Sequence, residues 1–329
     1  GRWSRGLGDV YKRQAQPWRF EIVNDNHVVV HGNDTRDHCI YDLHGHASQL
    51  ALGALLETMR IAASHYGLQV KSKARPGEPE TNPRIDVELV SDADIARDHL
   101  CHFIRERTTQ RRPLSTRSLT ADEQTAMEAS VGEGFRVIWL TTFAQRLRMA
   151  RLLFRNGHLR LTLPEAYPTH KSVIDWDHDL SEERIPVKAV GLDPMAQHLM
   201  HWAMASQARV NFLNRYAAGT LIPCLELDFI PGIACAAHFM IIAQQAPRSL
   251  DDFLEAGRAM QRFWLTSASL NLQFQPEMTP LIFRSYLRDG IEFTRHSGSH
   301  RLAQKLSNRL DTIAAPPDID NAVFMGRVG

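Results

Sequence analysis

One helical segment is written twice in this chain, and that duplication limits the folds open to it. Residues 53–69 (GALLETMRIAASHYGLQ) return as residues 257–273 (GRAMQRFWLTSASLNLQ). Each copy reads as a helix that opens on a glycine and carries apolar residues three and four apart. Each stops at a residue that tolerates left-handed backbone, Gly67 or Asn271, and a Leu-Gln pair follows. The match lies in pattern more than in letters. Its period, 204 residues from Gly53 to Gly257, is too long for a solenoid. It points to two similar domains fused in one chain, doing within one molecule what a symmetric homodimer does with two. Leu56, Met59 and Ile61, and their counterparts Met260, Phe263 and Leu265, are expected to pack against a sheet. Gly53 and Gly257 permit close approach of a neighbouring element or a ligand, or serve packing alone.

With 329 residues there is enough chain for two cores. The hydrophobic share of 43% and charged share of 23% are ordinary for a globular protein. A net charge of +1 supplies no global field toward nucleic acid or an anionic membrane, so neither is expected as a partner. The four cysteines are widely spaced and form no CxxC, which argues against a disulfide framework and for a reducing, cytoplasmic setting. No apolar run approaches the ~20 residues that span a bilayer. The longest, Ile230 to Ala243, is interrupted by Pro231, Gly232 and His238 and reads as a buried strand. Residues 1–14 (GRWSRGLGDVYKRQ) lack periodicity and a signal-peptide apolar region. They resemble a run-on translation at the end of a fragmentary reading frame and read as a non-native leader, with natural sequence from about Ala15. The end at Gly329 reads as cut too.

Along the chain, Trp18–Val23 and His27–His31 form a hairpin signal around Asn24-Asp25-Asn26. Ser48 is the expected N-cap of the first repeat helix, which runs to Tyr66. A strand over Arg84–Val90 precedes a helix capped by Ser91 or Asp92 and reaching Arg105. Thr120 and Glu123 make a capping box. Arg136–Leu140 reads as a strand, Phe143–Phe154 as an amphipathic helix, and Leu163–Asp193 as a long polar insert around Trp176. Pro194–Tyr216 reads as one helix, Cys224–Phe229 and Ala234–Ala243 as central strands, and Ser249 as the cap of the second repeat helix. A last helix over His300–Ile313 precedes Pro316-Pro317. Helices alternate with strands through hairpins instead of regular βαβ units, so the expected class is α+β.

Three local features then converge. Gln16-Pro17-Trp18-Arg19 heads the first strand, Arg107-x-Thr109-x-Arg111 heads the second half, and both repeat helices end in Gly-Leu or Asn-Leu. Together these resemble the FMN-dependent nitroreductase superfamily, most closely its bacterial branch in which two nitroreductase-like halves share one polypeptide. The resemblance implies a nitroreductase-like fold, an antiparallel or mixed sheet flanked by helices, with the halves forming a pseudo-dimer. Residues 15–100 would be a truncated first half and residues 101–329 the second. It implies FMN held by Arg107, Thr109 and Arg111, a wall from the opposite half made by Gln16, Pro17, Trp18 and Arg19, and a basic C-terminal contribution from Arg327. Guanidinium forks suit a phosphate dianion, and a cation near the flavin pyrimidine edge stabilises its reduced anion. The implied activity is transfer of hydride or electrons from reduced flavin to a small-molecule substrate, with NAD(P)H as a conceivable donor. The flavin carries the chemistry, so no protein nucleophile or acid–base pair is required. Alternatives are a flavin-sequestering protein that uses the 163–193 insert as a lid, and a module fused to or associated with a larger biosynthetic enzyme. The chain departs from the family pattern in two places: Gln14 stands where an Asn is expected, and the upstream Pro-Ser-Ser element is absent.

Other clusters read more plainly. Asp42-x-His44-x-His46 lacks further ligands for a metal and reads as a polar loop. His99-x-x-His102 and His198-x-x-His201 have no partner cluster. Gly132-Glu-Gly134 lacks the context of a dinucleotide fingerprint. Arg146, Arg148, Arg151 and Arg155 have no aromatic platform and form a solvated face.

Overall fold

A computed structural model describes residues 18–176, 184–216 and 219–329. Gln16 and Pro17 lie outside the described residues, as does the 1–14 leader.

The chain is mixed α+β, with open antiparallel sheets flanked by helices. The first sheet begins with the expected hairpin, β1 (Trp18–Asn24) against β2 (His27–Gly32). Helix α1 (His46–Ser64) then crosses to β3 (Leu68–Ala74), and β4 (Arg84–Ser91) returns to fill the gap, giving the order β1-β2-β4-β3. Next come a 3-10 turn (His99–Ile104), α2 (Ala121–Ser130) and β5 (Phe135–Leu140). A long helical excursion separates β5 from its neighbour: α3 (Phe143–Thr162), α4 (Ala166–Val173), the short pair β6 (Ile174–Asp175) and β7 (Ile185–Pro186), α5 (Pro194–Met204) and α6 (Gln207–Tyr216). It closes with α7 (Leu221–Cys224), a π-helical turn (Leu225–Phe229) and α8 (Ile230–Ile233). Then β8 (Ala237–Ala243), α9 (Leu250–Ser269), β9 (Phe274–Pro276), α10 (Thr279–Arg288), α11 (Ser297–Asp311) and β10 (Ala322–Val328) complete a second sheet, ordered β5-β8-β10-β9. Strand for strand, this is the order of the first sheet. In each, the repeat helix joins the second strand to the far edge, and the last strand slips in between.

The repeated helices lie parallel and against each other. A Cβ on Gly53 would come within 2.0 Å of the Leu254 carbonyl oxygen, and one on Gly257 within 2.1 Å of that of Leu50. With the 204-residue offset these are the same contact seen from either side. Gln261 Nε2 donates to Thr58 Oγ1 at 3.0 Å, and Arg262 meets Glu57 at 3.3 Å; these pairs are reciprocal under the same offset. The glycines therefore sit at a helix crossing seven residues inside each helix, not at helix starts. Both αL stops are present, Gly67 at φ 66° and Asn271 at φ 56°.

The second sheet is covered on both faces, which is why all seven residues of β8 are buried. Phe239 and Ile241 point to α9, while Met240 and Ile242 point to α3, α10 and α11, following the two-residue strand period. The first sheet packs Trp18, Val30, Ile85 and Val87 under Leu52, Leu55 and Leu56 of α1. Ile61 and Leu265 turn away from both sheets to meet Leu100 and Ile104.

Several local expectations are corrected. Ser48 lies inside α1, because Asp42 accepts from the Ala47 and Ser48 backbone and starts the helix earlier. No helix begins at Ser91 or Asp92: Asp92 forms a turn onto Asp94, and Asp98 caps only the 3-10 turn. Helix α3 runs past Phe154 to Thr162, and the 163–193 insert contains α4. The 194–216 helix breaks at Ser206, whose hydroxyl accepts from Arg209 N and caps α6. Cys224–Phe229 is helical, its Leu-Glu-Leu-Asp-Phe alternation imitating a strand, and β8 starts only at Ala237.

Candidate functional site

A cavity of about 440 Å³ lies between the helical excursion and the C-terminal edge of the second sheet. That is within the size range of cofactor and ligand sites. Its walls are apolar, from Leu153, Leu163, Ile174, Ile185, Leu192 and Met200, and its floor is charged, from Arg111, Arg160, Asp228, Glu277 and Arg327. Leu199, Leu221 and Ile222 line it and are also 42–47% exposed, so an apolar surface leads from solvent into it.

The floor is built from a buried relay. Arg327 on β10 is 2% exposed; its Nη1 donates to Glu277 Oε1 at 2.7 Å and its Nη2 to the Arg111 carbonyl at 2.9 Å. The second oxygen of Glu277 meets His238 Nδ1 at 2.7 Å, and His238 Nε2 donates to the Gly232 carbonyl at 2.7 Å. Burial alone would push the His238 imidazole down, but the Glu277 carboxylate and a Cys235 contact outweigh it and hold it up to about 10. Burial likewise opposes charge on Glu277, but His238 and Arg327 hold it below the usual carboxylate range. Cations at and behind the floor (Arg111, Arg160, Arg327, His238) thus outnumber carboxylates (Glu277, Asp228).

The opposite side of the floor belongs to α3 and the π-helical turn. Gly157 leaves a notch there: a Cβ on it would fall 2.2 Å from Asp228 Oδ2. Asp228 therefore enters α3's surface and lies 3.3 Å from Arg160 Nη2. Burial pushes its carboxyl up to about 6, against the opposing pull of Arg160. π-Turns of this kind are common at functional sites.

Three polar atoms in this wall are buried and have no hydrogen-bond partner among the described residues: Arg160 Nε, Arg327 Nε and Gln275 Oε1. Two donors and one acceptor left unmatched at one cavity are costly in a protein without a ligand.

The sequence-derived residues divide. Arg111 and Arg327 meet at the cavity floor. Arg107, 5% exposed, is not in the cavity wall; its guanidinium lies 4.2 Å over the Trp264 ring, which stacks on Phe274. Thr109 bridges to Phe274 beside it. Trp18 packs in the core of the first sheet, its indole N–H buried without an acceptor among the described residues, and Arg19 is exposed. Segments 163–176 and 184–192 contribute a wall of the cavity. Asp228, Arg160, Glu277 and His238 were not singled out from sequence. Gly157 was the available signal, since a glycine inside a strong helical pattern costs about 1 kcal/mol and marks close packing.

The remaining clusters serve structure. Asp42 caps α1, and the His44 and His46 rings stack at 4.6 Å with His46 on Phe253. No group of three metal-ligating side chains occurs among the described residues. No helix among them is long and apolar enough to cross a membrane. Comparison with protein-family models and with curated proteins finds no match to this chain.

Proposed function

We propose that the chain is an FMN-binding oxidoreductase of nitroreductase type, a pseudo-dimer of two related α+β halves acting in the cytoplasm on a small-molecule substrate. Support for the two related halves comes from the matching strand orders and from the reciprocal Gly53–Leu254 and Gly257–Leu50 contacts. The observation that carries the cofactor assignment is the lining of one cavity by Arg111, Arg160 and Arg327, with Arg327 donating to the Arg111 backbone carbonyl.

The residues present fit FMN. Its phosphate suits the cationic floor lined by Arg111, Arg160 and Arg327. Arg111 supplies a charge for the phosphate, while Arg107 and Thr109 fix the run that carries it by packing on Trp264 and Phe274. Bound there, FMN would supply two-electron hydride chemistry. The chain's own part is to hold the anion, to exclude water with aliphatic walls, and to admit a small apolar acceptor past Leu199, Leu221 and Ile222. NAD(P)H is the proposed donor.

The wall formed by 163–176 and 184–192 favours one second reading, a protein that sequesters flavin. Anaerobic mixing of FMN-loaded protein with NADPH separates the two. The oxidoreductase bleaches the flavin absorbance and recovers it when menadione is added. Unchanged absorbance over many minutes would leave only sequestration.

A further inference from the structure

We propose that Asp228 is the cavity's proton donor, delivering to the bound acceptor the proton that accompanies hydride transfer. This rests on the flavin reading above. The geometry places the carboxyl in the cavity wall, on a π-helical turn, in a notch that only a glycine at position 157 leaves open. The Arg160 contact is also long, 3.3 Å to one oxygen and 3.4 Å to the other, so it steadies a carboxylate without committing the group to that form.

The surrounding groups single Asp228 out. On its own helix the Cys224 thiol is pushed up by burial to about 12 and stays protonated. Burial also raises the Tyr41 phenol, from the loop before α1. His170 on α4 is pushed down to about 3 by burial and stays neutral. The guanidiniums of Arg160 on α3, Arg327 on β10 and Arg111 face Asp228 as charges that favour its carboxylate, and Glu277 after β9 is held ionised by His238 and Arg327. Within this set Asp228 is the group whose charge changes near neutral pH, where a general acid works best.

The balance for a quinone acceptor is as follows. The nicotinamide would be the source of the hydride that bound FMN would supply, and that hydride brings two electrons and one hydrogen. The Asp228 O–H bond breaks, and its proton forms the second O–H bond of the hydroquinone. The carboxylate left behind faces Arg160 and takes a proton back from water. The acceptor is reduced, the nicotinamide is oxidised, and Asp228 is unchanged over the cycle.

The test uses the FMN-loaded chain with menadione as the oxidant of the reduced protein. In the wild type the reoxidation rate should fall as pH rises through about 6. Asp228→Asn should keep bound flavin and its rate of reduction by NADPH, yet reoxidise about a hundredfold more slowly with a flat pH profile. Infrared difference spectra should show a protonated-carboxyl band in the wild type that titrates with the same midpoint and is missing in Asp228→Asn. Arg160→Gln, which removes the cation beside the carboxylate and should also weaken FMN binding, should move both midpoints to higher pH when read at saturating FMN. An Asp228→Asn protein that holds flavin and reoxidises with the wild-type pH profile overturns the donor role alone. So do Arg160→Gln midpoints that do not move. A chain that binds no flavin defeats the underlying reading and the donor role with it, even if the infrared midpoint stands.

Discussion

At the residue scale the central object is the Arg327–Glu277–His238 relay. Its carboxylate is shared by two buried cations, so removing it leaves both uncompensated in a low-dielectric setting. Glu277→Gln should therefore destabilise the protein by about 3 kcal/mol, read as a drop in the urea midpoint at neutral pH. The sign of the pH dependence follows from His238, whose folded value of about 10 lies above its ordinary value of 6.5. The folded state binds the proton more tightly, so this contribution is complete below about pH 6.5 and fades as pH rises toward 10. Urea midpoints across that window should decline in the wild type and decline less in Glu277→Gln. This relay was not legible in the sequence. His238 reads as an interruption of an apolar run, and its partner sits 39 residues away, across a strand pairing that local pattern does not encode.

At the element scale the deciding feature is the crossing of α1 and α9. The atoms that a Cβ would strike are backbone carbonyls, which cannot rotate aside. Gly53→Ala or Gly257→Ala should each cost about 3 kcal/mol in thermal or urea unfolding, at the upper end for overpacking. The double variant should cost less than the sum, because the first substitution already separates the helices. Here the sequence was informative: the duplicated segment, its two left-handed stops, the β1–β2 hairpin and the Thr120–Glu123 capping box all carry local physical signatures. It misled where the local signal was ambiguous. Leu225–Phe229 alternates like a strand, yet tertiary packing on α3 holds it as a π-helical turn. Asp42 caps α1 from outside the usual capping position, which made Ser48 look like the cap.

At the scale of the whole molecule, two sheets of the same strand order are joined along paired helices, and the second carries a long excursion that walls a charged, apolar-sided cavity. The Arg-x-Thr-x-Arg run shows how far the site could be read in advance. Its last arginine lines the cavity beside Arg327, whereas its first packs on Trp264, and between them Thr109 bridges in parallel to Phe274. Asp228, Arg160 and Gln275 come from three distant segments, and only the folded chain brings them to one wall. Titrating the purified protein with FMN, following the quenching of flavin fluorescence, tests the central claim most directly. The account predicts saturable binding of one FMN per chain, weakened about tenfold or more in Arg111→Ala, roughly 1.4 kcal/mol. Wild-type protein that leaves the fluorescence unquenched, or Arg111→Ala that binds as tightly as the wild type, would contradict it.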